Sequence, residues 1–333
     1  MLVGHRTWEF NNKPVITSTG TVGGPFEAKG NIPNDFDTLH EDMWLGQDSF
    51  EKAERVMFEE ASIKAIEKGG LTKEDIQFIF AGDLVNQLTP ITFACRTLGA
   101  PYFGLFGACS TSMEGLALSA YIVNSGGSTC VLTGSSSHNA NIEKQFRYPT
   151  EYGAQKPPTA QWTVTAAGTA IVRDKGEGPS ITSATIGRVV DMGLSDPYNM
   201  GGAMAPAAVD TIEAHFRDRG IDPSYYDVIV TGDLGKIGQT IAYDLLVEHG
   251  LSLEKDQFRD CGLIIYREDQ PVLAGASGSG CSAAVTYGHL LNRMKQGEIN
   301  RMLVVATGAL LSPLSYQQKE TIPCIAHAVS IEM

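Results

Sequence analysis

Nine residues, Gly107-Ala-Cys-Ser-Thr-Ser-Met-Glu-Gly115, place one cysteine where sulfur chemistry is possible. Ahead of Cys109 stands Pro101-Tyr-Phe-Gly-Leu-Phe106, a short aromatic run between Gly-Ala-Pro and Gly107 that reads as a buried strand. Behind it, Met113, Leu116, Ala117, Ala120, Tyr121 and Val123 recur at helical spacing until Gly126-Gly127. A thiol at a helix start faces backbone N–H groups without intrahelical partners, so this placement predicts a favoured thiolate and a lowered pKa. Acyl transfer from such a thiol also needs a base and an oxyanion donor.

Other residue types in the chain can do related work. His138 closes Gly134-Ser-Ser-Ser-His138 after a predicted strand, where it either faces a crevice or satisfies loop backbone groups. The hydroxyls of Ser135, Ser136 and Ser137 form turns or bond a carboxylate. Asp83 and Asp233 each end a strand in Gly-Asp-Leu, and each is either a helix cap or a ligand. Ser279 lies in the glycine-rich Ala276-Ser-Gly-Ser-Gly-Cys281, which lacks the spacing of a nucleotide fingerprint. Lys144, Arg147 and Arg188 are the cations that would hold an anion, or else surface ion pairs. Phe106, Phe146, Tyr148 and Trp162 are rings that would stack on an aromatic ligand, or simply core. No EF-hand spacing occurs, and no resident metal or cofactor is signalled.

These residues need a scaffold, and the pattern supplies one. Lys13 to Gly20 reads as a strand, and Asp48 with Glu51 as the capping box of a helix that ends at Gly69-Gly70. Ile76 to Ala81 is a strand, and Thr89-Pro90 opens a helix closed by Gly99. Thr129 to Thr133, Val164 to Val172 and Ser180 to Val190 have strand character, while Pro206 begins a helix through Phe216. Residues 139 to 161 form a loop long enough to be functional or an oligomer contact.

The second half then repeats the first. Ile79-Phe-Ala-Gly-Asp-Leu84 matches Ile229-Val-Thr-Gly-Asp-Leu234, Gly107-Ala-Cys-Ser110 matches Ser279-Gly-Cys-Ser282, and Val131-Leu-Thr-Gly134 matches Val305-Ala-Thr-Gly308. Cysteine and closing glycine are 25 residues apart in one half and 27 in the other. Asp83 and Cys109 are 26 apart against 48 for Asp233 and Cys281, so an insertion is expected around Leu251 to Gln270. Alternating strands and helices predict an α/β chain of mainly parallel, mixed sheets with layered helices, its halves spanning 1–175 and 176–333. Pseudo-twofold symmetry brings both cysteine turns to one crevice at the strand ends.

Bulk properties narrow the field. A formal charge of −13 disfavours nucleic acid and anionic membranes as direct partners, which need basic surfaces. Six cysteines without a C-x-x-C pair suggest neither zinc nor disulfides. No apolar leader follows Met1, and the most apolar stretch, Met302 to Leu311, is broken by Thr307 and Gly308. A soluble chain without signal or membrane span is expected.

A duplicated βαβαβ chain with a cysteine turn in each half resembles the thiolase-like fold of thiolases and ketoacyl synthases. His5-Arg-Thr-Trp8, Trp44-Leu-Gly-Gln-Asp48, Gln145-Phe-Arg-Tyr-Pro-Thr-Glu-Tyr-Gly153, Asp191-Met-Gly-Leu194 and Ile322-Pro-Cys-Ile-Ala-His327 resemble the stage V sporulation protein AD family of endospore-forming bacteria. That resemblance implies non-enzymatic binding of dipicolinic acid, pyridine-2,6-dicarboxylate, with or without its calcium chelate, in support of its uptake into the developing spore. It also implies other proteins of the same membrane channel system as partners, peripheral association with the spore inner membrane, and a homodimer. Thiolase-like enzymes place a histidine, and a second histidine or an asparagine, in loops of the second half. Here those loops read Thr231-Gly-Asp-Leu234 and Ala276-Ser-Gly-Ser-Gly-Cys281, so both partners are absent from the sequence. Three readings stay open: a binding pocket formed by Cys109, His138, Ser136, Asp83, Asp233, Ser279 and Arg147, an acyl-thioester condensing or transferase enzyme with Cys109 as nucleophile, or a scaffold that keeps the fold only for assembly through the long loops 139–161 and 191–206.

Overall fold

The computed structural model describes residues 1–147 and 155–333, with Arg147 described by its backbone alone. Its spine is built twice in the same order. The first series is β1 (Val15–Gly23), α1 (Phe50–Lys68), β2 (Phe78–Gly82), α2 (Thr89–Leu98), β3 (Tyr102–Gly104), α3 (Thr111–Asn124), β4 (Cys130–Ser137) and β5 (Ala166–Arg173). The second is β6 (Ser180–Thr185), α4 (Met200–Arg219), β7 (Val228–Thr231), α5 (Gly235–Glu248), β8 (Phe258–Asp260), α6 (Ser279–Ala284), β9 (Arg301–Ala309) and β10 (Cys324–Glu332).

Hydrogen bonding orders these strands β8-β7-β9-β10-β6-β1-β5-β4-β2-β3. Outward from the centre, β6-β10-β9-β7-β8 therefore mirrors β1-β5-β4-β2-β3. Each outer third is parallel, β2 with β3 and β4 and β7 with β8 and β9, while the pairs from β4 through to β9 across the centre are antiparallel. The two half-sheets fold over α3 and α6, and α3 touches strands of both. That position explains the composition of α3: Met113, Leu116, Ala117 and Ala120 are all fully buried, because a helix covered on both sides needs no polar face. The outer faces are closed by α1 and α2 on one half and by α4 and α5 on the other, giving two further cores. Five layers result.

Local chemistry sets the boundaries and corrects several sequence expectations. The cap of α1 is Ser49, whose hydroxyl accepts the Lys52 N–H at 3.3 Å; Asp48 instead pairs with the Lys52 ammonium at 2.6 Å. Pro206 lies inside α4, which starts six residues earlier at Met200. The upstream turn forms because Gly201 lets the helix rest on the Leu234 carbonyl, where a Cβ would come within 2.2 Å. Strand β3 is an edge strand and is not buried: Phe103 is 50% and Phe106 51% exposed. The extra residues of the second half fall mostly after β8, in a short helix (Cys261–Ile264) and the loop leading to α6. No helix among the described residues is long and apolar enough to cross a membrane.

The two cysteine turns meet where the layers cross. Ser112 and Ser282 share a hydrogen bond of 2.7 Å between their hydroxyls, and the Tyr287 hydroxyl donates to the Ser112 carbonyl at 3.1 Å. Gly308, on β9, passes so close to the Cys109 turn that a Cβ would stand 2.3 Å from the Gly107 carbonyl oxygen. Replacing Gly308 with alanine should therefore cost about 1–3 kcal/mol, since backbone must move to admit the methyl group. Thermal unfolding followed by circular dichroism checks this, and an unchanged midpoint would contradict the close approach.

Candidate functional site

Cys109 sits on a turn held under strain. Ala108 adopts φ 51°, a left-handed conformation that costs a non-glycine residue on the order of 1 kcal/mol. The turn is fixed by the Ser110 hydroxyl donating to the Gly107 carbonyl at 2.6 Å and the Thr111 hydroxyl donating to the Ala108 carbonyl at 2.7 Å. Its sulfur lies at the floor of a cleft of about 940 Å³, open mouth included. Ser277 and Gly278 border the floor, Phe106, Phe146 and Leu311 the apolar walls, and Lys156 and Glu143 one side.

The thiol is not activated. Its pKa is raised well above the ordinary cysteine value, first by burial, then by the charge of Asp233 and by the hydrogen bond between the thiol and that carboxylate. The Gly278 N–H works in the opposite direction and is outweighed. This reverses the expectation of a favoured thiolate: desolvation and a neighbouring carboxylate dominate the helix start. Asp233 is only 1% exposed. Burial pushes its carboxyl up to about 7, although it accepts the Gly278 N–H at 2.9 Å, the Thr307 hydroxyl at 2.8 Å and the Cys109 thiol.

Asp83 and Asp233 occupy matching loops and do different things. The Asp83 carboxylate accepts the N–H groups of Val85 at 2.7 Å and Ile91 at 2.9 Å, capping the start of α2. In the second half that duty falls to Asp260, at the end of β8, which accepts the N–H groups of Leu234 at 2.8 Å and Gly235 at 3.0 Å. Asp260 thereby frees Asp233 to meet the sulfur. Sequence reasoning passed over Asp260; the signal was an acid closing a strand directly before Cys261.

The remaining sequence candidates are dispersed. Ser136 donates to Glu54 at 3.0 Å, and Asn141 donates to the other Glu54 oxygen at 2.6 Å. Burial and the charge of Asp83 raise Glu54 to about 8, while burial raises Asp83 to about 7, so these residues form a second acidic cluster away from the sulfur. His138 faces backbone: Nε2 bonds the Met43 carbonyl at 2.9 Å and Nδ1 accepts the Ala140 N–H at 3.2 Å. Ser279 donates to the Ser136 carbonyl at 2.6 Å, and Ser135 donates to the Ser279 carbonyl at 2.9 Å, joining the two halves. Lys144 pairs with Glu51 at 2.5 Å and Arg188 with Asp210 at 2.9 Å. The Arg147 side chain and Tyr148 lie outside the described residues.

The cleft instead contains Lys156, ion-paired with Glu143 and 5.3 Å from the ring centre of Trp162. Trp162 is held by Phe26 at 4.9 Å, so it supports the lysine from below. Lys156 stands in the same long loop as Lys144 and Arg147, next to Pro157-Pro158, and sequence reasoning passed it over in their favour. None of the seven histidines borders the cleft. His215 is buried between Thr185 and Tyr226, and His327 accepts the Gly187 N–H. The arrangement combines a neutral thiol, a carboxyl group near mid-range, one amine and aromatic walls.

Residues 4–332 match the family model described as stage V sporulation protein AD. Stage V sporulation protein AD of Bacillus subtilis strain 168 is 48% identical over 331 residues, covering 99% of this chain and 98% of the relative. Among solved structures, 3-oxoacyl-[acyl-carrier-protein] synthase III of Aquifex aeolicus VF5 superposes with a TM-score of 0.61 at 14% identity, covering 96% of this chain and 100% of that one. A variant of Xanthomonas campestris OleA bound with cerulenin gives 0.62 at 12% identity, covering 98% of each chain. At these identities the two enzymes speak for a thiolase-like fold alone.

Two outcomes follow from the charges. Iodoacetamide at pH 7.5 should modify Cys109 more slowly than a free cysteine, and Asp233→Asn should raise the rate, since losing the carboxylate removes one of the causes that push the thiol pKa up. Peptide mass spectrometry reads this out; equal rates would remove Asp233 as the controlling group. The second outcome concerns stability. Glu54, Asp83 and Asp233 hold protons in the folded state that they have lost in the unfolded state at neutral pH, so stability falls as pH rises through their folded pKa values. His138, His215 and His327 have lowered pKa values, and the stability they contribute is complete above about 6.5 and lost below it. From pH 6.5 to 8 the raised acids dominate, Glu54 accounting for on the order of 2 kcal/mol and Asp83 and Asp233 adding to it. Melting curves across that window should fall for the wild type and fall less steeply for Glu54→Gln.

Proposed function

We propose that this chain, which belongs to the stage V sporulation protein AD family, binds dipicolinic acid in the Cys109 cleft without transforming it and so supports its uptake with calcium into the developing spore. A role in sporulation and a thiolase-like fold follow from the family and from the structural neighbours. The observation that carries the binding reading is the lining of the cleft, which joins Cys109 to Lys156 and aromatic walls with no histidine among the described residues; burial and the Asp233 charge push the thiol pKa up. A ketoacyl synthase needs the thiolate and a histidine to raise and return the proton; here burial and Asp233 oppose thiolate formation.

The cleft supplies what a planar dicarboxylate requires. Phe106 and Phe146 offer aromatic faces, and Lys156 a positive charge. Calcium enters this reading as cargo chelated by the ligand: no group of metal-binding side chains stands ready among the described residues, and the ligand's own carboxylates and ring nitrogen would supply the donors. Other proteins of the same membrane channel system are the partners in this reading, and the chain joins the inner membrane through them as a homodimer.

One observation favours the acyl-thioester reading: Asp233, with a carboxyl near 7, is bonded to the sulfur and is placed to act as its base. The two readings part in one pair of measurements. Calorimetry should show saturable binding of dipicolinate by the wild type and at least a tenfold loss in Lys156→Met. Incubation with acyl-CoA thioesters followed by intact-mass spectrometry should show no adduct. A Cys109 adduct that turns over, and that disappears in Cys109→Ala, would replace binding by catalysis.

A further inference from the structure

The single described cation bordering the cleft is already neutralised by an acid bordering the same cleft. Lys156 and Glu143 come from different segments, Glu143 from the first position of a π-helical turn (Glu143–Arg147) and Lys156 from the stretch leading to Trp162. Their ion pair leaves the charged lining balanced, and an entering dianion brings two negative charges into an apolar-walled space. A carboxylate next to an anionic ligand repels it strongly where water is scarce. The arrangement therefore admits an anion well only if the lysine changes partner.

We infer that Glu143 is an internal mimic of the ligand carboxylate, holding Lys156 in the empty cleft and giving it up when an aromatic dicarboxylate enters. This rests on the dipicolinate reading and assigns a specificity role to a residue that reading does not use. The surroundings favour exchange at the glutamate end. Lys156 is 16% exposed as a side chain and rests over Trp162, which Phe26 keeps in place, so the ammonium has a second support when Glu143 leaves. Glu143 is 30% exposed as a side chain, nearly twice as open, so solvent reaches the glutamate end of the pair first. The helical turn that carries it stays anchored meanwhile: the neighbouring Gln145 donates to the Leu84 carbonyl at 2.9 Å and accepts the Asn86 N–H at 2.6 Å. Exchange thus requires a side-chain rotation and leaves the wall of the cleft in place.

Such a device selects by charge. A ligand with two carboxylates gains more from the released lysine, and loses more to a retained glutamate, than a ligand with one. Calorimetric titrations of wild type, Glu143→Gln, Lys156→Met and the double variant with dipicolinate and with pyridine-2-carboxylate test this, each variant first shown to melt as the wild type does. Glu143→Gln should bind dipicolinate about tenfold more tightly and the monocarboxylate only two- to threefold more tightly, and the gain should vanish in the Lys156→Met background. Unchanged or weaker dipicolinate binding in Glu143→Gln, with wild-type binding intact, would overturn the inference and leave the ligand reading standing. An equal gain for both ligands, or a gain that survives Lys156→Met, would overturn it as well. Absence of dipicolinate binding in both wild type and Glu143→Gln would overturn the ligand reading and the exchange together.

Discussion

The buried Asp233 carboxyl beside the Cys109 sulfur is the constraint on which the crevice depends. It accepts the Gly278 N–H and the Thr307 hydroxyl, tying the strand end after β7 to β9 and to the glycine-rich loop, and its charge faces the cysteine turn of the first half. Moving any of these elements would leave a buried acid short of a partner, at a cost of about 1–3 kcal/mol for an uncharged group and more for a charged one. Burial first, and then that charge, hold the sulfur as a thiol, since a dry site beside a carboxylate disfavours a second negative charge.

The duplicated design makes this contact possible by being broken in one place. Matching loops present Asp83 and Asp233, yet only Asp83 caps the helix that follows it. Asp260 takes over the equivalent backbone groups in the second half, and it does so because it closes β8, the parallel neighbour of β7, level with Thr231 and beside the loop that carries Asp233. A helix start must have its N–H groups satisfied by something. Once a neighbour does so, the original acid is free for another role.

This also marks the limit of what the sequence discloses. The repeat, the order of strands and helices and the floor of the cleft at Cys109 were legible, because they rest on periodicity, on Gly-Asp-Leu strand ends and on local turn chemistry. Contacts between distant segments were not. The motif residues Ser136, His138 and Ser279 bond backbone or Glu54, since hydroxyls and imidazoles near strand ends satisfy whichever donor or acceptor the other half brings. Sequence reasoning chose Lys144 over Lys156 as an anion-holding cation, whereas Lys144 pairs with Glu51 and Lys156 lies over Trp162 at the cleft, contacts that no local pattern announces. The thiol pKa was misjudged for a related reason: the helix start is local and readable, whereas the opposing carboxylate lies 124 residues away along the chain.

The chain is strongly acidic, yet Lys156 and Glu143 are the only charged side chains that border the cleft among the described residues. Its sulfur is protonated, and Asp233, with a pKa near 7, is not fully ionised at neutral pH. Adding arginines would attract anions more strongly, but each buried cation needs a counter-ion, and a permanent counter-ion would cancel the gain. One lysine paired with one partly exposed glutamate leaves that counter-ion within reach of solvent, so the charge on this side of the cleft is not sealed in. The rest of the wall is apolar, formed by Phe106, Phe146 and Leu311, so the side chains that border it add no further charge among the described residues.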